Sequence, residues 1–300
     1  MITYNDEICI YHPLANLKLQ GAIEAELLYK FLLRVKSKLI SLEIDESKVT
    51  MKSGRTKAEF NIDPEIKLPL DDEKLTEKGK WKELPKNFIE AITMAKACTS
   101  KDMIKVKLTC VHINSKGIVE SSDGYRIFRY KLGEKLDINS VLIPANSINS
   151  VIRINPTKVA DGNGWIHFKN EEGTTISCRI LNEEFPDTSE HLKDGKNGVE
   201  VDFPKELVTT LDTAEIFAEN YLVKITITKK KLVVTSQSQL ASFKEELDLV
   251  NKVEPFAFQI TPYLLKDILK LVSACTIYND RLIFKNENFK YMTELMRVED

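Results

Sequence analysis

ELPKNFIEAITMA, residues 83–95, is the stretch on which the fold turns. A short extended lead-in meets Pro85, and apolar residues then recur at helical spacing as Phe88, Ile89, Ile92 and Ala95. The same pattern returns in VLIPANSINSVIRI (141–154), VDFPKELVTTLDTA (201–214) and QITPYLLKDILKLV (259–272). The prolines of these copies, Pro144, Pro204 and Pro262, follow Pro85 at intervals of 59, 60 and 58 residues. Proline suits the first turn of a helix because its missing N–H would have no intrahelical partner there. Each copy carries one apolar stripe: Ile148, Val151, Ile152 and Ile154; then Leu207, Val208, Leu211 and Ala214; then Leu264, Leu265, Ile268, Leu269 and Leu271. The spacing predicts four short, one-faced helices. A fixed period of this length marks a repeated supersecondary unit.

Strand-like segments lie between the helices. IKVKLTCVHI (104–113), GIVESS and RIFRYKL follow the first helix, and WIHFK and TTISCRIL follow the second. LVKITITKKKLVVTSQ and SFKEELDLV follow the third, and CTIYNDRLIFKNE and KYMTELMRV the fourth. Alternation such as Ile225 and Ile227 against Lys224 and Thr226 predicts half-buried strands, punctuated by Asn-Asp, Asp-Gly and Lys-Gly turns. The unit is therefore a strand, a helix, and two or three antiparallel strands. A fifth copy without the proline begins at QGAIEAELLYKFLLRVK (20–36), with Ile23, Leu27, Leu28, Phe31, Leu32 and Val35 as its stripe. LISLEI, KVTMKSG and KAEFNI follow it as strands. DPEIKLPLDDEKLTEKGK (63–80) and DTSEHLKDGKNG (187–198) break both periodicities and read as linkers. The expected architecture is α+β, with one unit in residues 1–73 and a pair of units in each of 74–195 and 196–300.

A hydrophobic fraction of 43% with 29% charged residues is ordinary for a soluble globular protein. No apolar run reaches the roughly 18 residues of a membrane span, and the N-terminus lacks the pattern of a secretory signal. Five dispersed cysteines suit reduced thiols in the cytoplasm. No phosphate-binding glycine loop occurs, and Asp161 to Gly164 reads as a hairpin turn. His12, His112, His167 and His191 have no metal-ligand spacing, and Asp123 and Asp187 stand beside Gly or Pro as turn formers do. No catalytic residue, metal or cofactor is assigned, and an enzyme is not expected. The net charge of −2 leaves any nucleic-acid contact to a local surface. Candidates are the basic residues of the helical segments: Lys30, Arg34, Lys36 and Lys38; Lys86 and Lys96; Arg153; Lys266 and Lys270. A solvated face accounts for any one of these helices. Several of them around a shared cavity would create a local positive field for phosphates.

Three motifs in order, SSDGYRIFRYKL (121–132), SVLIPANSINSVIRI (140–154) and CRILNEEFPD (178–187), carry a family likeness. The chain resembles the bacterial DNA polymerase III β subunit, the sliding clamp, and KVTMKSGRTKAEF (48–60) looks like the end of that family's first domain. The resemblance implies a DNA-clamp fold: a ring of repeated half-domains whose helices line a central hole around duplex DNA. It implies a non-catalytic processivity factor that tethers a polymerase without reading sequence. It also implies a head-to-tail homodimer loaded by a partner ATPase. Family members carry six half-domains per chain; five are read here, the first being the one without a counterpart, since residues 1–20 are too few to replace it. A dimer would then have ten inner helices rather than twelve, and a shortened clamp of this kind suggests a phage or mobile element.

Two surfaces carry over from the resemblance. The subunit seam maps to Phe60 and Ile62 on one side and Ile216 and Phe217 on the other. The cleft in which polymerase and clamp loader dock short peptide motifs maps to Ser122, Gly124, Tyr125, Arg126, Ile127, Pro186, Met292, Glu294 and Met296. Glu294 and Leu295 depart from the family's apolar-proline ending, which bears on cleft specificity. The alternative is a clamp-like interaction module that binds or sequesters clamp partners without encircling DNA.

Overall fold

The computed structural model describes residues 1–14, 21–37, 39–45, 47–63, 81–162, 164–249 and 251–298. Lys38, Asn163 and most of the first expected linker lie outside these residues. Each repeated proline stands where a strand gives way to a helix. The leading strands are β6 (Lys82–Glu83), β10 (Val141–Pro144), β14 (Val199–Asp202) and β18 (Phe256–Ile260). The helices behind them are α2 (Phe88–Ala97), α3 (Ala145–Ile154), α4 (Leu207–Phe217) and α5 (Tyr263–Leu269). Pro144 and Pro262 are the capping residues of α3 and α5. The expected stripes are buried in part: Phe88, Ile92 and Ala95; Ile148 and Val151; Leu207, Leu211 and Ala214; Leu264, Leu265 and Ile268.

Three antiparallel strands follow each helix. They are β7 (Cys110–Ile113), β8 (Ile118–Ser122) and β9 (Arg126–Lys131) after α2, and β11 (Lys158–Gly162), β12 (Trp165–Lys169) and β13 (Thr175–Arg179) after α3. After α4 come β15 (Val223–Ile227), β16 (Lys231–Gln237) and β17 (Ser242–Asp248). After α5 come β19 (Ala274–Ile277), β20 (Arg281–Lys285) and β21 (Phe289–Glu294), with the short β22 (Met296–Arg297) at the end.

A leading strand does not stay with its own helix. β6 pairs with β11 of the α3 unit, and β10 pairs with β7 of the α2 unit. Likewise β14 pairs with β19, and β18 with β15. This reciprocal exchange joins the units two by two. Helix α2 packs on α3, and α4 on α5. The core between helices and sheets is continuous from Phe88 to Leu295.

The last strands of three units, β9, β13 and β21, make the further joints. β9 pairs with β21 from Tyr130↔Phe289 to Arg126↔Thr293, fusing two pairs into one eight-stranded sheet. The sequence reading assigned no element to the first 20 residues, but they begin with a hairpin, β1 (Ile2–Tyr4) and β2 (Ile8–Tyr11). β2 pairs with β13, extending that sheet to six strands. Ile8 and Ile10 pack on the core there, and the His12 ring is 2.7 Å from the Thr174 hydroxyl. Two short strands with a tight turn leave too few residues for a periodicity to register.

The remaining unit is α1 (Ala25–Leu32) with β3 (Ser41–Asp45), β4 (Lys48–Ser53) and β5 (Thr56–Asn61) in a three-stranded sheet. The Glu24 carboxylate caps α1 by accepting from the backbone N–H of Glu26 and Leu27. Leu28 and Phe31 pack with Ile23 on a separate small core of Val49, Met51, Phe60 and Ile62, while Leu27 and Leu32 are exposed. Phe60 and Ile62, expected at a subunit seam, turn their side chains into this core. The Phe60 ring meets Phe31 edge-on at 5.7 Å.

One strand expectation fails. The alternation Ile104, Val106, Leu108 belongs to a 3-10 segment, Met103–Thr109, capped by the Asp102 carboxylate accepting from Ile104 N–H at 2.9 Å. Apolar side chains at every second position mimic a strand, but Ile104 is 90% exposed and covers no core. Among the described residues no helix is long and apolar enough to cross a membrane.

Because Phe60 anchors the small core, Phe60→Ala is expected to cost about 3–5 kcal/mol in that unit. Hydrogen exchange followed by mass spectrometry checks this: protection in residues 22–63 falls while that of the α2–α5 core persists.

Candidate functional site

The joint between β9 and β21 brings the expected cleft residues together. The turn from β8 into β9 is built by two side chains. Asp123 Oδ1 accepts from the backbone N–H of Tyr125 and Arg126 at 3.0 and 3.1 Å. The Ser122 hydroxyl donates to Arg126 O at 2.8 Å and accepts from Gly124 N–H at 3.1 Å. Gly124 has φ +98°, a conformation open mainly to glycine. Across the joint Met292 faces Ile127, and Glu294 N–H donates to Tyr125 O at 2.9 Å. Met296, in β22, pairs with Gln259.

These residues do not all offer a surface. Ser122 is buried, and Ile127 and Met292 are sealed in a cluster with Leu192, Tyr278 and Ile283 on the sheet face away from the helices. Gly124, Tyr125 at 55%, Pro186, Glu294 and Met296 at 49% are the exposed members. Beside them lies a cavity of about 360 Å³ lined by Ile104, Lys105, Val106, Lys107, Leu108, Glu183 and Pro186. The Lys105 ammonium stands 5.8 Å from the centre of the Tyr125 ring and connects this cavity to the turn. Of the expected residues only Pro186 reaches the cavity wall. The other walls come from the 3-10 segment, which its strand-like alternation disguised. The usable signal was Asp102, a capping residue two positions ahead of Ile104.

Arg126 is buried and turned away from the cleft, toward the helix layer. Its Nε donates to Asp123 Oδ2 at 2.9 Å, and its Nη2 to Ala97 O at the end of α2 at 2.6 Å. Its guanidinium lies 4.9 Å from the Tyr263 ring and 3.6 Å from the Asp267 carboxylate, both on α5. One cation thus joins the C-terminal end of α2, where the helix dipole favours positive charge, to α5 across the joint. Burial, and then Asp123, push the Tyr263 hydroxyl up to about 12, and burial, opposed by Arg126 and helped by Asp123 and Asp267, takes the Cys98 thiol to about 12. Both stay protonated at neutral pH and add no charge to the cluster.

The helix layer is less basic than its lysine content suggests. Lys30 pairs with Glu26. Lys266 is held by Asp212 at 2.9 Å and Glu215 at 2.5 Å, a bridge from α5 to α4, and Lys270 lies 3.7 Å from Asp267. Arg34, Lys86 and Arg153 are exposed, and Lys96 is half-buried. On α4, Ile216 is 80% exposed, and Phe217 stacks on Phe243 of β17 at 5.7 Å. Among the described residues no group of three His, Cys, Asp or Glu side chains could hold a metal ion.

No protein-family model matches the chain, and no curated protein matches it in sequence. Solved structures do match. The DNA polymerase III β subunit of Pseudomonas aeruginosa superposes with a TM-score of 0.82 at 15% identity, covering 99% of this chain and 88% of that one. The fold is that of a sliding clamp. The β subunits of Thermotoga maritima (TM-score 0.82, 17% identity) and Streptococcus pyogenes (0.81, 20%) cover the same shares of both chains. In this clamp fold Arg126 ties two of the repeated helices together at a joint of the sheet.

Arg126→Ala would leave the Asp123 carboxylate buried without its cationic partner, a change expected to destabilise the chain by about 3–5 kcal/mol. Urea unfolding measures it, and Arg126→Lys, which keeps the charge but not the fork, should recover only part of the loss.

Proposed function

We propose that this chain is a processivity factor, a non-catalytic sliding clamp that encircles duplex DNA as a head-to-tail homodimer and tethers a replicative polymerase. One observation carries the reading. Of the units' last strands, β9 pairs with β21 and β13 with β2 of the amino-terminal hairpin, and among the described residues the two that remain, β5 and β17, each stand at the end of a sheet. An exposed strand edge is a template for another strand. Joining β5 of one copy to β17 of the next extends the chain's own rule and closes a ring. Ile216 and Phe217 stand beside the β17 edge to seal that seam, and Phe60 and Ile62 back the β5 edge from inside.

The domains are proposed as residues 1–73, 74–195 and 196–300. The hole would be lined by helices bearing Arg34, Lys86, Lys96 and Arg153, with Lys30, Lys266 and Lys270 moderated by their carboxylate partners. Weak, sequence-independent phosphate contacts are what sliding requires. Polymerase and loader peptides would dock at Tyr125, Glu294, Met296 and the cavity beside Pro186, an apolar hollow with a polar rim. Loading would draw on a partner ATPase in the cytoplasm.

The second reading is a clamp-fold module that binds clamp partners without encircling DNA. The neutralised lysines of α5 favour it. A strict monomer by light scattering would select it.

The stagger of the joints within the chain, carried over to β5 and β17, sets Lys57 opposite Lys244. Both are exposed, and the five native cysteines are buried. Oxidised Lys57→Cys/Lys244→Cys protein is expected to form a covalent dimer that stays on nicked circular DNA in high salt and leaves once the DNA is linearised. A cross-linked species that ignores DNA topology would remove the ring.

A further inference from the structure

The sheet face turned away from the helices carries a buried polar cluster that the clamp reading does not use. Glu120 of β8, 6% exposed, is its centre. Its Oε1 accepts from His112 Nδ1 of β7 at 3.0 Å, and its Oε2 accepts from Arg129 Nε of β9 at 2.7 Å and from the Thr188 hydroxyl at 3.1 Å. His112 Nε2 is 2.7 Å from the Ser140 hydroxyl, so both ring nitrogens have partners. Arg129 Nη2 also donates to Thr188 Oγ1 at 2.7 Å. Strands β8 and β9 therefore meet directly at Thr188, which lies in the connector after β13, and β7 joins them through Glu120. Three residues earlier in that connector, Phe185 stacks on the His112 ring at 5.1 Å and 17°. Between Phe185 and Thr188 stands Pro186, the wall of the cavity.

We infer that the His112–Glu120–Arg129 cluster is a positioning device for peptide recognition. It holds the connector at Phe185 and Thr188 and so fixes the distance between Pro186 and the 3-10 segment opposite. The inference rests on reading the cavity as a peptide cleft. A hydrogen-bonded carboxylate with a charged donor is stronger and more directional than an apolar contact. Leu181, whose N–H donates to Leu142 O at 2.9 Å, and Leu192 in its apolar cluster hold the connector outside the Phe185–Thr188 span. Within that span the side chains just named supply the tether, beside one long backbone bond from Leu192 N–H to Thr188 O at 3.3 Å. Releasing it widens the cavity without opening the core, because the helix-facing side of the same strands is packed independently through Val111, Val119, Phe128 and Tyr130.

The test uses a fluorescein-labelled, amidated Leu-Gln-Leu-Phe peptide, whose side chains suit an apolar hollow and which has no titratable side chain. Anisotropy titrations compare full-length wild type with Thr188→Val, Glu120→Gln and Thr188→Ser. Thr188→Val keeps the shape and removes the hydroxyl, and it should weaken binding about tenfold, the size of one lost buried hydrogen bond. Glu120→Gln should do the same or more. Thr188→Ser restores the hydroxyl and should bind within about twofold of wild type. The oligomeric mass and the melting temperature should hardly move for the two Thr188 variants. Wild-type affinity in Thr188→Val and Glu120→Gln overturns the inference and leaves the cleft reading standing. Equal weakening in Thr188→Ser and Thr188→Val also overturns it. A wild-type protein that closes on DNA but does not bind the peptide removes the cleft reading, and this inference with it.

Discussion

A strand at the margin of a sheet presents a row of unpaired N–H and C=O groups, and meeting that demand organises this molecule. Within each pair of units the short leading strands cross over, so that neither unit's sheet is complete without the other. Between pairs the last strands meet edge to edge. The helices then have no choice of side. Each buries one stripe on the sheet behind it and packs laterally on its partner. The order of the strands in each sheet follows from where the edges are satisfied.

The repeat itself was legible because proline does two jobs at one place. It removes a ladder N–H, which ends a strand, and it supplies a φ suited to a helix start. Four such prolines at even spacing expose the period directly. The partners of the leading strands were not legible, since strands of two to five residues carry no information about which neighbour they join. The 3-10 segment at 103–109 went unread for a related reason: Ile104, Val106 and Leu108 alternate as a strand would, yet the first of them faces solvent beside a cavity.

The candidate site was legible as a set of residues but not as a set of roles. Ser122, Gly124 and Arg126 came as cleft residues from the family resemblance, and with Asp123, read as a turn former, they build one turn. A turn motif does not tell which way its arginine leaves. Arg126 runs inward to a helix end, where a cation is stabilised by carbonyl oxygens and an aromatic face. Lysine counts on the helices misled similarly. Lys266 looked like an exposed charge, but Asp212 and Glu215 come from another helix, Glu215 lying 51 residues away in the chain. Pairing across the fold cannot be seen in a local window.

The amino-terminal hairpin ties distant parts of the chain. His12 meets Thr174 across 162 residues of sequence, and β2 needs a finished β13 before it has anything to pair with. Loop closure over such a span is entropically slow compared with forming the local hairpins. During synthesis β2 must therefore wait until the first pair of units has emerged as far as β13. The hairpin's strand edges stay open to solvent in the meantime, so it docks after strands made long after it.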